Sequence, residues 1–422
     1  MCALTTKASN DMFNLERLET LGDSYLKFIT CLFLYTTFST STEGALTQIK
    51  GKMVGNRNLY YSGCEKNIPG RLKIDEFTPD TFIPPAFSTF RPLGKQLLDD
   101  GKSPSVLYEL DIPREERFRG CLTEATMEKM LHIVRNWNDS ESPTGMEHYL
   151  GMQNVGRKNV SDCVEALIGV YLRSTGVKGA ARLLSWFKVI PGTLDIDKLL
   201  HTVSDHPSIP MVDQHLPWAS TIETKLGYQF RNRAYLLQAL THPSYMAPGI
   251  TESYQRLEFL GDSILDFLIT VHIYESCGSL TPGELTDLRS ALVNNITFAC
   301  LATRYGFHTG LLAHGPELYK MIDRFVKFQE ERDHVVDDML LSVLLEEADC
   351  NMAEYVDVPK ALGDIFESII GAVYLDSGKD LRKVWQIVYS LMHKEIEEFS
   401  NDVPKNAIRK IYETPGARPI FR

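Results

Sequence analysis

Apolar runs broken by acids at helical spacing dominate the hydropathy pattern of this chain. Glu16 to Phe28 reads ERLETLGDSYLKF and opens the run FITCLFLYTTF; Gln255 to Phe267 reads QRLEFLGDSILDF and opens FLITVHIY. The near absence of charge after Lys27 and after Asp266 predicts two helices buried on most of their faces. Nine of the thirteen positions in the paired segments are identical at a constant offset of 239 residues, so the chain is internally duplicated. A second pair of apolar blocks, KNVSDCVEALIG (Lys158 to Gly169) and KALGDIFESIIG (Lys360 to Gly371), repeats at an offset of 202. These too read as buried helices.

The first offset persists downstream. Gly44, Leu46, Thr47, Lys50, Val54 and Asn56 face Gly283, Leu285, Thr286, Arg289, Val293 and Asn295, which predicts a second helix in each repeat carrying one basic residue, Lys50 or Arg289. Thr281-Pro282-Gly283-Glu284 reads as the capped start of that helix. Residues 66–120 hold seven prolines with little periodicity, and are expected to form a loop-rich, mostly extended insertion in the first repeat. Its basic residues, Lys66, Arg71, Lys73, Arg114, Arg117 and Arg119 among them, suit phosphate contact or a solvated surface equally. The acidic stretch from Glu330 to Asp349 reads as a solvated helix or loop. The expected division is a first domain over 1–190, a proline-rich linker with one helical turn over 191–218, a second domain over 219–400 and a final segment over 401–422. A basic lead-in, TIETKLGYQFRNRAYLLQ, precedes the second repeat and not the first, so the chain reads as a piece of a longer protein.

Composition narrows the setting. A length of 422 residues with 44% apolar residues supports two or three packed domains, and no run of 18 apolar residues suggests a membrane span. Eight scattered cysteines without CxxC spacing point to a reduced, cytoplasmic setting. A net charge of −11 argues against a nucleic-acid partner only as an average, since acids that hold metals bias it.

The chemistry lies in the acids. Glu19 and Asp23 are four residues apart, as are Glu258 and Asp262; Asp162 and Glu165 are three apart, as are Asp364 and Glu367. On helices each pair shares one face. Carboxylates taken out of water need a proton, a cation or a metal. Oxygen-only ligand sets without histidine or cysteine select a hard divalent ion, Mg²⁺ or Mn²⁺, and disfavour zinc. All eight acids are therefore candidate metal ligands and catalytic residues, and phosphoryl transfer is the chemistry such a site suggests. Lys158 and Lys360, four residues ahead of the aspartates, are candidate phosphate contacts or plain surface charges. His242 and Ser244 lack an acid–base partner pattern, so a packed or capping histidine is expected. Tyr60, Tyr61, Trp186, Phe187 and Trp385 read as core-packing residues.

These motifs resemble the ribonuclease III family. ERLETLGDSYL and QRLEFLGDSIL are similar to its signature, SDCVEALIG and GDIFESIIG to its second acidic motif, and the tandem arrangement resembles that of animal Dicers, arthropod-like ones in particular. Thr20 and Gln255 depart from the usual pattern outside the acids. The resemblance implies an all-α fold of two ribonuclease III domains paired as an intramolecular pseudo-dimer, followed by the start of a double-stranded RNA-binding domain. It implies a Mg²⁺-dependent endoribonuclease that cuts double-stranded RNA into short duplexes with two-nucleotide 3′ overhangs, one strand per domain. It also implies a double-stranded RNA-binding protein cofactor and Argonaute-loading machinery as partners; the short acidic insert of the second repeat favours small-interfering RNA over microRNA production, with microRNA processing the open alternative. A non-catalytic scaffold, or a ribonuclease III that matures ribosomal or microRNA precursors, are the competing readings.

Overall fold

The computed structural model describes residues 1–76, 113, 115–116, 123–136, 155–202, 212–245, 250–336 and 358–404. Among the described residues the architecture is helical, and β-pairing is confined to two isolated bridges, Thr5 with Lys73 and Thr241 with Leu312. No described helix is long and apolar enough to cross a membrane.

The first repeat comprises α1 (Glu16–Thr37), α2 (Glu43–Val54), α3 (Asn56–Glu65), α4 (Glu124–Asn136) and α5 (Arg157–Trp186). Helix α6 (Ile196–His201) follows. The second repeat comprises α7 (Ala219–Leu226), α8 (Ala234–Ala239), α9 (Gln255–Ser276), α10 (Pro282–Leu292), α11 (Asn295–Arg304), α12 (Pro316–Glu331), α13 (Lys360–Asp376) and α14 (Leu381–Asn401). The expected cap on α10 is present: the Thr281 side chain accepts from the Glu284 N–H while the Glu284 carboxylate accepts from the Thr281 N–H. In the first repeat Thr42 caps α2 through the Ala45 N–H. The reach of α5 past its matched block has a backbone cause, since Gly176 at φ 70° joins two helices across a kink.

Within each repeat the motif helix lies on the second acidic helix, α1 on α5 and α9 on α13. The glycines of the motifs allow this. A Cβ on Gly22 would sit 1.8 Å from the Glu165 carbonyl oxygen, and one on Gly261 would sit 1.9 Å from that of Glu367. Gly169 and Gly371 make the reciprocal approach to Leu18 and Leu257. Backbone contact at that crossing brings both acid pairs to one point.

The repeats pack on each other through α1 and α9. Phe28 and Phe267 occupy the same motif position and stack at 5.1 Å between centroids, 2° from parallel, with Tyr25 and Tyr374 edge-on around them. All four rings are buried. On either side an arginine reaches into the opposite repeat. Arg17 donates to the carbonyls of Tyr274, Cys277 and Leu280, and Arg256 to those of Tyr35, Phe38 and Ser41. Each thus neutralises the carbonyl end of the other repeat's motif helix, where a cation is favoured. The arginines face away from the acids, as their place in the motif predicts.

Three expectations change. The linker holds more than one turn: α6 and a 3₁₀ segment, Val212–His215, lie in it, and the buried Lys379 ammonium donates to the Leu199 carbonyl, tying α6 to the second repeat. Tyr61 and Trp186 are half exposed rather than core, because each lies on the outer side of its helix, where Arg57 and Lys66 cover the rings. Phe187 next to Trp186 is buried, as expected. Within the described part of the insertion, Lys73 is ion-paired to Asp11 and so is not free for phosphate. Residues 77–112, Arg114, Arg117 and Arg119, the acidic residues 337–349 and the final segment from 405 lie outside the described residues.

Two candidate metal centres

Helical spacing and the glycine crossing converge the acids. Glu19, Asp162 and Glu165 place one oxygen each within 4.8 Å of one another, and Glu258, Asp364 and Glu367 do the same in the second repeat. Asp162, Glu165 and Asp364 are buried at 8%, 7% and 6% exposure, so their charges are poorly solvated. Burial first, and the neighbouring carboxylates second, push the Glu165 carboxyl up to about 9 and those of Glu19 and Glu258 up to about 7. Glu367 is pushed well above its ordinary range by the same two causes, and burial raises Asp364. Without a cation these clusters hold protons at neutral pH.

Lys158 reaches Asp162 at 2.6 Å and Glu19 at 3.8 Å, and Lys360 reaches Glu258 and Asp364 at 3.2 Å each. Both lysines are largely exposed, at 70% and 73%, so each bridges its acid cluster to solvent. Asp23 and Asp262 stand outside the 4.8 Å clusters, each turned toward a cation supplied by the opposite repeat. Arg289 of α10 lies 3.4 Å from Asp23, and Lys50 of α2 lies 4.0 Å from Asp262. Asp23 is held further by Lys27, one turn along α1, at 2.7 Å. In the second repeat the position of Lys27 is Asp266, buried and paired with Arg289 at 2.8 Å. The basic residue read from each second helix therefore serves the other repeat's centre.

A cavity of about 580 Å³ opens beside the first centre, lined by Thr6, Leu15, Glu19, Lys158 and Asp162 and closed by Pro282 and Thr286 of the other repeat. Another, of about 360 Å³, lies where the repeats meet, between Lys27, Lys50, Arg289 and Asp262. In the second centre the Tyr254 hydroxyl donates to Asp364 at 3.0 Å, deep in the protein. Leu15 holds the corresponding place in the first. His242 turns out to be a turn residue, its Nδ1 accepting from the Ser244 N–H, with its ring against Tyr254. The motifs alone do not reveal Lys27, Asp266 or Tyr254. Reading the repeats in register does, because these are positions where one copy is charged or polar and the other is not its like.

Six acids in two partly buried triads, oxygen-only and short of positive charge, fit a hard divalent cation in each centre. The Ribonuclease III domain family matches residues 16–110 and again 255–378. Endoribonuclease Dcr-1 of Drosophila melanogaster is 39% identical over 97% of this chain and 20% of its own length. Endoribonuclease Dicer of Danio rerio is 34% identical over 97% of this chain and 28% of its own length. Among solved structures, Dicer from Giardia intestinalis is 17% identical, with a TM-score of 0.38, over 90% of this chain and 54% of that one. The chain thus spans between a fifth and a third of the length of these two animal relatives. With the family's domain matched twice, at residues 16–110 and 255–378 and so over more than half of the chain, the chain belongs to the ribonuclease III family.

Proposed function

We propose that the chain is the nuclease core of a Dicer-type endoribonuclease that cuts double-stranded RNA with Mg²⁺ or Mn²⁺, each centre cutting one strand. The single observation that carries this reading is the pair of matched acid triads on repeats that pack face to face. In each centre Glu19, Asp162 and Glu165, or Glu258, Asp364 and Glu367, would hold the ion, with Asp23 or Asp262 as the fourth acid. A divalent ion there supplies an activated water and stabilises the charge that develops in an in-line displacement at phosphorus. The water oxygen joins phosphorus, the bond to the 3′ oxygen breaks, and the products are a 5′-phosphate and a 3′-hydroxyl.

The residues of the chain do the rest. Lys158 and Lys360, exposed beside the acids, meet the phosphate as it enters and hold charge balance while the site is empty of RNA. Arg17, Arg256 and the Phe28–Phe267 stack fix the spacing of the centres. That spacing is read against an A-form duplex by shape and 2′-hydroxyls, and offset cuts on the two strands leave two-nucleotide 3′ overhangs.

The wider reading is small-RNA production in the cytoplasm, with a double-stranded RNA-binding protein and Argonaute-loading machinery as partners. Small-interfering RNA production rests on the shortness of the acidic insert in the second repeat. Comparing long duplexes with hairpin precursors as substrates decides between that pathway and microRNA maturation.

The direct test incubates the purified chain with a long end-labelled RNA duplex, with Mg²⁺ or with a chelator, and maps the product ends. Metal-dependent staggered cuts are expected. Intact RNA from folded, Mg²⁺-loaded protein would favour the scaffold reading instead.

A further inference from the structure

Around the two centres most charged positions correspond between repeats; Glu16 beside the first centre faces the neutral Gln255, and one position reverses in sign. The four acids match, Lys158 matches Lys360 and Lys50 matches Arg289, but Lys27 on α1 stands where α9 has Asp266. The reversal acts on the fourth acid. In the first centre one oxygen of Asp23 accepts from Lys27 at 2.7 Å and from Arg289 at 3.4 Å. In the second, Lys50 at 4.0 Å is the one ion-pair partner of Asp262 among the described residues. Asp266 cannot neutralise Asp262; it draws Arg289 to itself instead. Asp23 is also less open to water than Asp262, 22% against 45% exposed, so its ion pairs are less screened.

Resting on the reading of the clusters as metal centres, we propose that Lys27, backed by Arg289, makes the first centre the weaker of the two divalent-cation sites. The second centre then fills, and its strand is cut, at lower Mg²⁺. An ion entering the first centre meets an ammonium already in contact with Asp23, and has to share that acid or displace the lysine. An ion entering the second meets an acid whose cation stands off. Limiting Mg²⁺ therefore yields duplexes nicked in one strand, the strand that lies in the second centre.

Mn²⁺ serves as the probe, its binding to the full chain followed by calorimetry and by the electron paramagnetic resonance of the free ion. Asp364→Asn with Glu367→Gln leaves the first centre intact; Asp162→Asn with Glu165→Gln leaves the second. The first centre is expected to bind roughly ten-fold more weakly, the size of one added charge a few ångströms from the ion in a partly screened site. Lys27→Met, which keeps the stem and removes the charge, closes most of that gap in the first-centre background, whereas Lys27→Arg does not. Strand-resolved cutting by the unmodified chain across a Mg²⁺ titration gives the second readout, with one strand nicked first.

Equal Mn²⁺ affinities in the two single-centre proteins would overturn the proposal, and that comparison needs no change at Lys27. Weaker binding in Lys27→Met would also overturn it, by making the lysine an aid to the metal. Absence of Mn²⁺ binding in both backgrounds would overturn the metal reading itself, a different result from equal binding.

Discussion

The first and second centres stand on the same frame and differ in what surrounds it. In both, two glycines let two helices touch, three acids meet within 4.8 Å and a lysine bridges them to solvent. Beyond that the centres part. The second has a buried tyrosine donating to Asp364, with a histidine ring against it, while the first has Leu15 and Thr6 in those places. The first has Lys27 on its fourth acid, and the second has Asp266 paired away from its own. The difference teaches that backbone contact fixes where the acids sit, whereas neighbouring side chains set how readily each centre takes a cation.

The comparison breaks most sharply at the acids. Glu165→Ala and Glu367→Ala should each reduce cutting of one strand on the order of 10²–10³-fold, leaving nicks in opposite strands on a denaturing gel. Loss of both cuts from either change would mean that the centres are not separate. Next come the glycines. Gly22→Ala and Gly261→Ala each drive a methyl into a backbone carbonyl, and both should destabilise by about 3 kcal/mol in urea unfolding, at the upper end of overpacking costs. Unequal losses would show that the frame is not shared.

Smaller effects sharpen the picture. Arg17→Ala and Arg256→Ala each remove charged hydrogen bonds between repeats and should each cost about 2 kcal/mol in the same assay. Tyr254→Phe takes the donor from Asp364, and should raise the metal demand of the second centre about ten-fold while leaving the first unchanged, as read by strand-specific cutting.

The comparison also predicts a pH dependence without metal. The raised carboxyls bind protons in the folded state that the unfolded chain releases near its ordinary 4.5, so their contribution is present at low pH and is lost as pH rises toward about 9. Melting temperature in a chelator should therefore fall between pH 5 and pH 9. Added Mg²⁺ should raise it more at pH 8 than at pH 6, because binding displaces those protons. A flat metal-free profile would contradict the burial of these acids.

Much of this was legible in the chain. Periodicity and duplication are local properties, so they placed α1, α9, the start of α13 and the capped start of α10, and the i,i+3 and i,i+4 spacings put each pair of acids on one face. Tyr61 and Trp186 were misread for the same reason: composition says that an aromatic prefers burial, and only the packing of neighbouring helices says which side of the helix is covered.

What the sequence determined by itself was the pair of matched helices and the acids on them, because each follows from spacing along one backbone. What only the tertiary structure decided was the company those acids keep. Arg289 lies 266 positions from Asp23 and Lys50 lies 212 from Asp262, and no periodicity links residues so far apart. They meet because Phe28 stacks on Phe267 and two arginines pin the repeats face to face. Once the repeats are held in that way, a charge on either one becomes part of the other's centre.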